Sequence, residues 1–302
     1  MTSTEHAWPE PVTRVQQLSD SGIRVIPGRY VKKPEDHPGA AASDGPNIPV
    51  IDMEGLSSGD AEVRRRTAAL IDAACREWGF FQVANHGVSP ALMARCREAW
   101  REFFQLPLAE KQRELAAEYS REVVELCGKL MKILARNLGL REDYLLEAFG
   151  GEEELGACMR VNYYPKCPQP DRTLGLSSHS DPGGLTLLYS DENVSGLQIR
   201  RGDTWITVKP QPNTFIVNLG DQLQILSNAN YKSVEHRAIV NSAKERVSLA
   251  YFYNPKGDKV IKPAEELVSP EQPLRYSPTT YNDYRLYVRK KGLHGKTQVE
   301  SL

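Results

Sequence analysis

The chain has 302 residues, of which 40% are hydrophobic and 25% are charged, and its formal net charge is −1. These values are ordinary for a folded globular protein, and such a balanced charge gives no bulk attraction to nucleic acid or to an anionic membrane. No apolar run is long enough to span a membrane, and the first residues lack the pattern of a secretory signal. Five cysteines without a CxxC pair predict reduced thiols in a cytoplasmic protein. From the charge and the lack of an apolar span we expect no nucleic-acid or membrane partner.

The first half of the chain is predicted to be mainly helical, because apolar residues recur at intervals of three and four. Ser89 and Pro90 are typical of a helix start, as N-cap and first helical residue. Residues 31–46 are rich in Pro, Gly and charge, which indicates a loop. Helices are predicted over 60–78, 89–106 and 114–138, and strands over 47–52 and 80–83.

The pattern changes near residue 159, where short β-type runs separated by Pro and Gly begin. Strands are predicted over 159–164, 185–189, 196–200, 204–208, 214–218, 234–240 and 246–253. Strands at this spacing predict an antiparallel sandwich or barrel, and a last helix is predicted over 278–291. The chain therefore divides into a mainly helical region, 1–157, and a β domain with a terminal helix, 158–302.

His179 and Asp181 form a His-x-Asp motif whose two outer side chains point to the same side of an extended chain. His236, on a later predicted strand, is the candidate third ligand. Two imidazoles and one carboxylate on one face of an octahedron leave three positions free, as in non-haem iron(II) oxygenases. Those positions suit a chelating 2-oxo acid and dioxygen. The same ligands also bind zinc, which the residues alone leave open.

Arg246 and Ser248 share one face of a predicted strand, since side chains alternate along a strand with a period of two. A guanidinium fork and a hydroxyl together suit a carboxylate. We therefore expect this pair to hold the far carboxylate of 2-oxoglutarate. The alternative is a solvated arginine at the edge of a sheet.

Arg160, Asn162 and Tyr164 likewise share a strand face, which is unusually polar for a core strand. Such a row suits the inner wall of a barrel cavity, where Asn162 and Tyr164 would contact the cosubstrate and Arg160 an anionic substrate. The alternative is that this face lies in solvent.

These motifs resemble the plant 2-oxoglutarate and iron(II)-dependent dioxygenases that act on flavonoids and hormones. The matching stretches cover nearly the whole chain and lie at 79–88, 160–170, 177–188, 196–228, 231–241 and 245–255. The resemblance implies an α+β fold with a double-stranded β-helix, or jelly-roll, core. It also implies Fe(II), 2-oxoglutarate and O2, with ascorbate as reductant, and a structural role for His86.

The resemblance assigns roles to the motif residues. It implies iron on His179, Asp181 and His236, and 2-oxoglutarate on Arg246, Ser248, Tyr164 and Asn162.

Three further stretches, 7–34, 148–170 and 276–292, resemble the jasmonate-induced oxygenases, which hydroxylate jasmonic acid at C12. That narrower resemblance implies hormone catabolism in plant defence. Oxidation of a flavonoid or another phenolic by the same chemistry is the alternative. The sequence leaves the oligomeric state open.

A substrate with one carboxylate needs a positive partner inside a cavity, because an unpaired buried charge is costly. Arg285 and Arg289 lie four apart on the last predicted helix and therefore share a face. With Arg160 they are the candidates for that role, and Phe252 is the candidate for packing the apolar tail. The alternative for the two helix arginines is a solvated face.

One departure from the family pattern falls near 112–114, where the segment between LPLAEKQ and the next helix is missing. In the family this segment holds strands and a loop that help to cover the active-site mouth. We therefore expect a less closed cavity here. A non-catalytic binder is the corresponding alternative.

Overall fold

The structure is a computed structural model, and it describes residues 15–38, 47–103, 111–151, 155–292 and 296–300. The helices are α1 (Val15–Asp20), α2 (Ala61–Glu77), α3 (Pro90–Phe103), α4 (Lys111–Asn137), α5 (Tyr144–Phe149), α6 (Asp221–Leu226), α7 (Tyr281–Lys291) and α8 (Thr297–Glu300). Among these helices, none is both long enough and apolar enough to cross a membrane.

The strands form two main sheets and one small pair. They are β1 (Val50–Asp52), β2 (Phe80–Ala84), β3 (Cys158–Tyr164), β4 (Leu176–His179), β5 (Leu185–Ser190), β6 (Leu197–Arg201), β7 (Thr204–Thr207), β8 (Phe215–Leu219), β9 (His236–Ala238), β10 (Arg246–Tyr253), β11 (Val260–Ile261) and β12 (Thr279–Thr280).

The larger sheet has the order β1-β2-β8-β5-β10-β3, and all its pairs except β1 with β2 are antiparallel. Every residue of β8 is buried, because helices cover one face of this sheet and the second sheet covers the other. Phe81 packs on the helical side, whereas Phe80 packs between the sheets. The smaller sheet has the order β4-β9-β6-β7.

The long helix α4 anchors the helical layer. Its fully buried residues recur at helical spacing and include Tyr119, Val123, Leu130 and Leu134. They belong to the same apolar cluster as the helix-facing residues of the larger sheet. This continuous cluster holds the sheet as a rigid support for the residues on its other face.

The two sheets with flanking helices agree with the expected α+β jelly roll, and each of the seven predicted strands in the second half overlaps an observed strand. The predicted helices over 60–78 and 114–138 are confirmed as α2 and α4. Helix α3 is described as far as Phe103; residues 104–106 of its predicted span lie outside the described residues, as do 39–46 of the predicted loop.

Two expectations need refinement. The last helix begins at Tyr281 rather than 278, because Thr279 and Thr280 pair with β11. The division at 157/158 stays a prediction, since β1 and β2 from the first region join the larger sheet through β8.

We expect Leu130→Ala to lower the free energy of unfolding by about 2–5 kcal/mol, because the side chain is fully buried and its loss leaves a cavity. Leu70→Ala is the matched control: Leu70 is 52% exposed on α2, and its loss is expected to change stability by about 0.5 kcal/mol or less. Urea denaturation measures both. Equal losses would contradict the assignment of α4 to the core.

Candidate active site

The two histidines of the predicted motif are cross-strand partners in the smaller sheet. His179 ends β4 and pairs directly with His236, the first residue of β9, and their ring centroids are 4.3 Å apart. Nε2 of each ring lies 3.7 Å from Oδ1 of Asp181. All three ligand atoms lie within 4.8 Å of one another, so one ion fits between them.

Both imidazoles present Nε2 to this site because Nδ1 is used elsewhere. Nδ1 of His179 donates to the carbonyl oxygen of Ser177 at 2.8 Å, and Nδ1 of His236 donates to that of Val234 at 3.1 Å. Burial lowers the pKa of His179 to about 4, and the neighbouring His236 adds to the effect. His179 is therefore neutral at pH 7, which is the form that binds a metal.

Asp181 is held from the opposite sheet. Its Oδ2 accepts hydrogen bonds from Thr186 Oγ1 on β5 at 2.6 Å and from Asn218 Nδ2 on β8 at 2.8 Å. Burial alone would raise the pKa of Asp181, but the two imidazoles and these hydrogen bonds together lower it. An ionised carboxylate thus points Oδ1 at the histidines, and the two-imidazole, one-carboxylate set suits iron(II) with open positions.

Arg246 begins β10 as a buried cation. Its Nη1 donates to Ser190 Oγ at 3.1 Å, and its guanidinium carbon lies 4.3 Å from the ring centroid of Tyr164. Burial lowers the pKa of Arg246, its Nε has no hydrogen-bond partner, and no carboxylate pairs with it among the described residues. A buried guanidinium in this condition fits a carboxylate brought by a ligand.

The backbone around Arg246 leaves room for that side chain. A Cβ on Gly196 would lie 2.4 Å from Arg246 Nε, so only glycine fits there. Asp191 fixes the start of β10, since its Oδ2 accepts from Val247 N at 2.8 Å while its Oδ1 accepts from Arg101 of α3. The position of Arg246 is therefore limited by Gly196 beside the smaller sheet and by Asp191 at the end of β5, which is itself bonded to α3.

A cavity of about 620 Å³ contains the metal triad and opens between the sheets. Of the residues predicted from the sequence, the cavity is lined by His179, Asp181, His236, Arg246, Ser248, Tyr164, Asn162, Arg160, Phe252 and Arg285. Arg289 is exposed and is absent from this lining. Tyr281 and Val288 of α7 complete the wall beside Arg285.

The mouth of the cavity is electropositive. Arg160 on the edge strand β3 and Arg285 on α7 are both exposed, and neither pairs with a carboxylate among the described residues. Their charges converge at Cys158: burial raises the pKa of that thiol, whereas Arg285 and Arg160 both act to lower it.

Asp221, which was not predicted from the sequence, contacts the loop 180–184 between β4 and β5, called the metal loop because it carries Asp181. It is 1% exposed, its backbone N–H donates to the carbonyl oxygen of Asp181 at 2.8 Å, and its Oδ2 accepts from Ser180 Oγ and Tyr284 Oη. Burial raises the pKa of Asp221 to about 6 although these hydroxyl donors lower it.

The roles of Thr186 and Asn218 as hydrogen-bond donors to Asp181 were not predicted from the sequence either. A usable signal was present, because asparagine interrupts the apolar run FIVNL and a polar residue in such a strand requires a partner. The partner itself lies 37 residues away and was not readable.

His86 has the structural role that was expected. It is buried, its Nδ1 accepts from Val88 N at 3.2 Å, and its Nε2 donates to the carbonyl oxygen of Asn213 at 3.1 Å. Both nitrogens are used, so His86 serves the turn after β2. The five cysteines are all free, as predicted.

Comparison with known proteins identifies the class. Residues 155–255 match the 2OG-Fe(II) oxygenase superfamily, and residues 48–135 match the N-terminal region described as non-haem dioxygenase in morphine synthesis. The chain belongs to the 2OG-Fe(II) oxygenase superfamily. It is therefore a dioxygenase that uses Fe(II) and 2-oxoglutarate, and zinc is no longer an alternative for its resident metal.

Two of its similar relatives are jasmonate-induced oxygenases. The chain is 49% identical to jasmonate-induced oxygenase 2 of Arabidopsis thaliana over 97% of its own length and 94% of the relative's. Jasmonate-induced oxygenase 1 of the same plant is 48% identical over 97% and 87%. A crystal structure of JOX2 in complex with 2OG, Fe and JA matches with a TM-score of 0.89 and 48% identity, covering 97% of this chain and 98% of that one.

The relatives contain residues that this chain lacks. The alignments with oxygenases 2 and 1 extend over 349 and 352 positions, although the chain has 302 residues. This agrees with a missing segment, whose place near 112–114 stays a prediction. Residues 104–110, just before that place, lie outside the described residues.

We expect His179→Ala and Asp181→Ala to abolish the visible charge-transfer band that forms when Fe(II) and 2-oxoglutarate are added anaerobically, because each removes a ligand. Asn218→Ala, which removes one hydrogen bond to Asp181, is expected to weaken iron binding by about 10–100-fold. Asp203→Ala is the control, since Asp203 is fully exposed. A normal band in a ligand variant would exclude that residue from the site.

Arg246→Ala is expected to weaken 2-oxoglutarate binding by about 2–5 kcal/mol, because it removes a desolvated partner of the carboxylate. Iron binding should change little. Titration of the same band with 2-oxoglutarate at fixed iron measures the effect, and Arg201→Ala, an exposed arginine, is the control. Unchanged affinity for 2-oxoglutarate would show that Arg246 serves only the fold.

Proposed function

We propose that this dioxygenase hydroxylates jasmonic acid. The observation that carries the proposal is the presence of Arg160 and Arg285 on the wall of the cavity that contains the metal triad, where neither pairs with a carboxylate of the described residues. A small acid with an apolar body fits such a wall, because guanidinium groups bind carboxylates with two parallel hydrogen bonds.

In this proposal one group of cavity residues holds the metal and another holds 2-oxoglutarate. His179, Asp181 and His236 hold iron through Nε2, Oδ1 and Nε2. Arg246 and Ser248 hold the distal carboxylate of 2-oxoglutarate, with Tyr164 and Asn162 beside it on β3. Register supports this arrangement, since Arg246 pairs with Tyr164 and Ser248 with Asn162.

When bound, iron(II) with 2-oxoglutarate activates O2, so that one oxygen atom enters a substrate C–H bond and the other enters succinate as CO2 leaves. The chain supplies orientation. Arg160 and Arg285 bind the substrate carboxylate at the mouth, which directs the apolar end inward, where Phe252 packs against it. Binding at a distance from the reacting carbon therefore selects which carbon is presented to the metal.

Two further observations support this substrate. The chain's similarity to jasmonate-induced oxygenases covers nearly its whole length, and the similar JOX2 structure contains JA. A flavonoid, which is uncharged at its core, would leave both guanidinium groups without an anionic partner. Jasmonic acid therefore gives Arg160 and Arg285 an anionic partner, whereas a phenolic substrate does not.

We expect Arg285→Ala and Arg160→Ala each to weaken binding of jasmonic acid by about 1–2 kcal/mol, or about 5–30-fold, since both side chains are partly screened by solvent. Binding of the methyl ester, which lacks the charge, should change little. Anaerobic titration of the protein loaded with Fe(II) and 2-oxoglutarate measures both ligands.

Lys290→Ala is the matched control, because it removes an exposed cation from α7 that does not line the cavity. Arg289→Ala tests whether that side chain reaches the ligand from outside the lining. Equal affinity for acid and ester in the unmodified protein, or tighter binding of a flavanone, would refute the proposed substrate.

A further inference from the structure

We propose that Tyr284 and Asp221 form a latch that fixes helix α7 against the metal loop and thereby positions Arg285 at the substrate cavity. The substrate part of this inference rests on the proposed function. The latch itself concerns how the chain holds one wall of the cavity, and it can be tested without a substrate.

A single carboxylate oxygen joins the two elements. Asp221 Oδ2 accepts from Tyr284 Oη at 2.7 Å and from Ser180 Oγ at 3.1 Å. Ser180 lies between the metal-binding residues His179 and Asp181 in the chain. Helix α7 is therefore hydrogen-bonded, through one buried side chain, to the loop that follows His179 and carries the ligand Asp181.

The start of α6 gives this carboxylate a fixed position. Backbone N–H groups of Gly220, Asp221 and Gln222 donate to the carbonyl oxygens of Gly184, Asp181 and Gly183 at 2.6, 2.8 and 2.9 Å. A Cβ on Gly220 would lie 2.4 Å from the carbonyl oxygen of Gly183, so the two backbones are in close contact. Asp221 cannot shift without moving the metal loop.

The contact of Tyr284 is one of the few buried contacts of helix α7, beside the hydrogen bond from Asn282 N to the carbonyl oxygen of Gly257 at 2.8 Å. Only Tyr281 and Tyr284 are buried in it, at 5% and 1% exposure, and the remainder is mainly polar. The lining residues Tyr281, Arg285 and Val288 are spaced by four and three, so they form one stripe beside Tyr284. Anchoring Tyr284 therefore fixes how helix α7 is rotated about its axis and where these three residues lie along the cavity wall.

Arg285 needs such an anchor because its own side chain is exposed. Its guanidinium lies 5.4 Å from the ring centroid of Tyr281, and no carboxylate holds it among the described residues. A flexible cation binds an anion well only when its backbone is placed in advance, since ordering it on binding has an entropic cost. Tyr284 is thus a positioning residue that acts through Arg285.

The test is Tyr284→Phe, which removes one hydroxyl and keeps the buried ring. Tyr287→Phe is the matched control, because it removes a hydroxyl from a half-buried residue of the same helix that does not line the cavity. The protein is used with Fe(II) and 2-oxoglutarate under anaerobic conditions. The probes are jasmonic acid and its methyl ester.

We expect Tyr284→Phe to weaken binding of the acid by about tenfold, with little change for the ester and an unchanged charge-transfer band. In an Arg285→Ala background, Tyr284→Phe should have no further effect on acid binding. A loss equal for acid and ester, or additivity of the two changes, would overturn positioning through Arg285.

Hydrogen exchange tests the latch independently of any substrate. Amides of α7 should exchange faster in Tyr284→Phe than in Tyr287→Phe, while those of α2 and α4 stay protected. If the unmodified protein does not bind jasmonic acid, the proposed substrate fails but the exchange result still decides the latch. Unchanged protection of α7 would refute the latch, whatever the substrate.

Discussion

The hydrogen bonds from Thr186 and Asn218 to one oxygen of Asp181 are the contacts on which the site depends. Asp181 follows a strand of the smaller sheet, whereas its two donors lie on the larger sheet. They satisfy one oxygen of a buried carboxylate and leave the other facing the histidines. The metal site is therefore also the place where the two sheets are joined by polar contacts, and its geometry is as rigid as their packing.

Burial gives the site its electrostatic character. It keeps His179 neutral, while the imidazoles and hydrogen bonds keep Asp181 ionised. The same exclusion of water surrounds the charged Arg246, which forms no ion pair with a carboxylate among the described residues, although Asp191 acts on its pKa from nearby. Such a cation is costly to maintain without a ligand. In the proposed function, the carboxylate of 2-oxoglutarate supplies the anionic partner that this cation lacks.

Local signals in the sequence were sufficient for the ligands and for most strands. His179 and Asp181 are two residues apart, and His236 and Arg246 lie on strands whose alternation is visible. The missed elements are short: β4 has four half-buried residues, and α6 has six residues that are all buried, so neither shows a readable period. Long-range partners such as Asp221 and Tyr284 were unreadable because their pairing exists only in the folded chain.

The candidate substrate-binding residues lie on different parts of the fold from the buried residues near the metal. His236, Arg246 and Ser248 are buried on strands inside the two sheets, whereas Arg160 is exposed on the edge strand β3 and Arg285 is exposed on helix α7. Exposed residues on an edge strand or a surface helix can be replaced with few consequences for packing. Selectivity for a new compound can therefore evolve at this periphery while the oxidative chemistry of the interior is inherited unchanged.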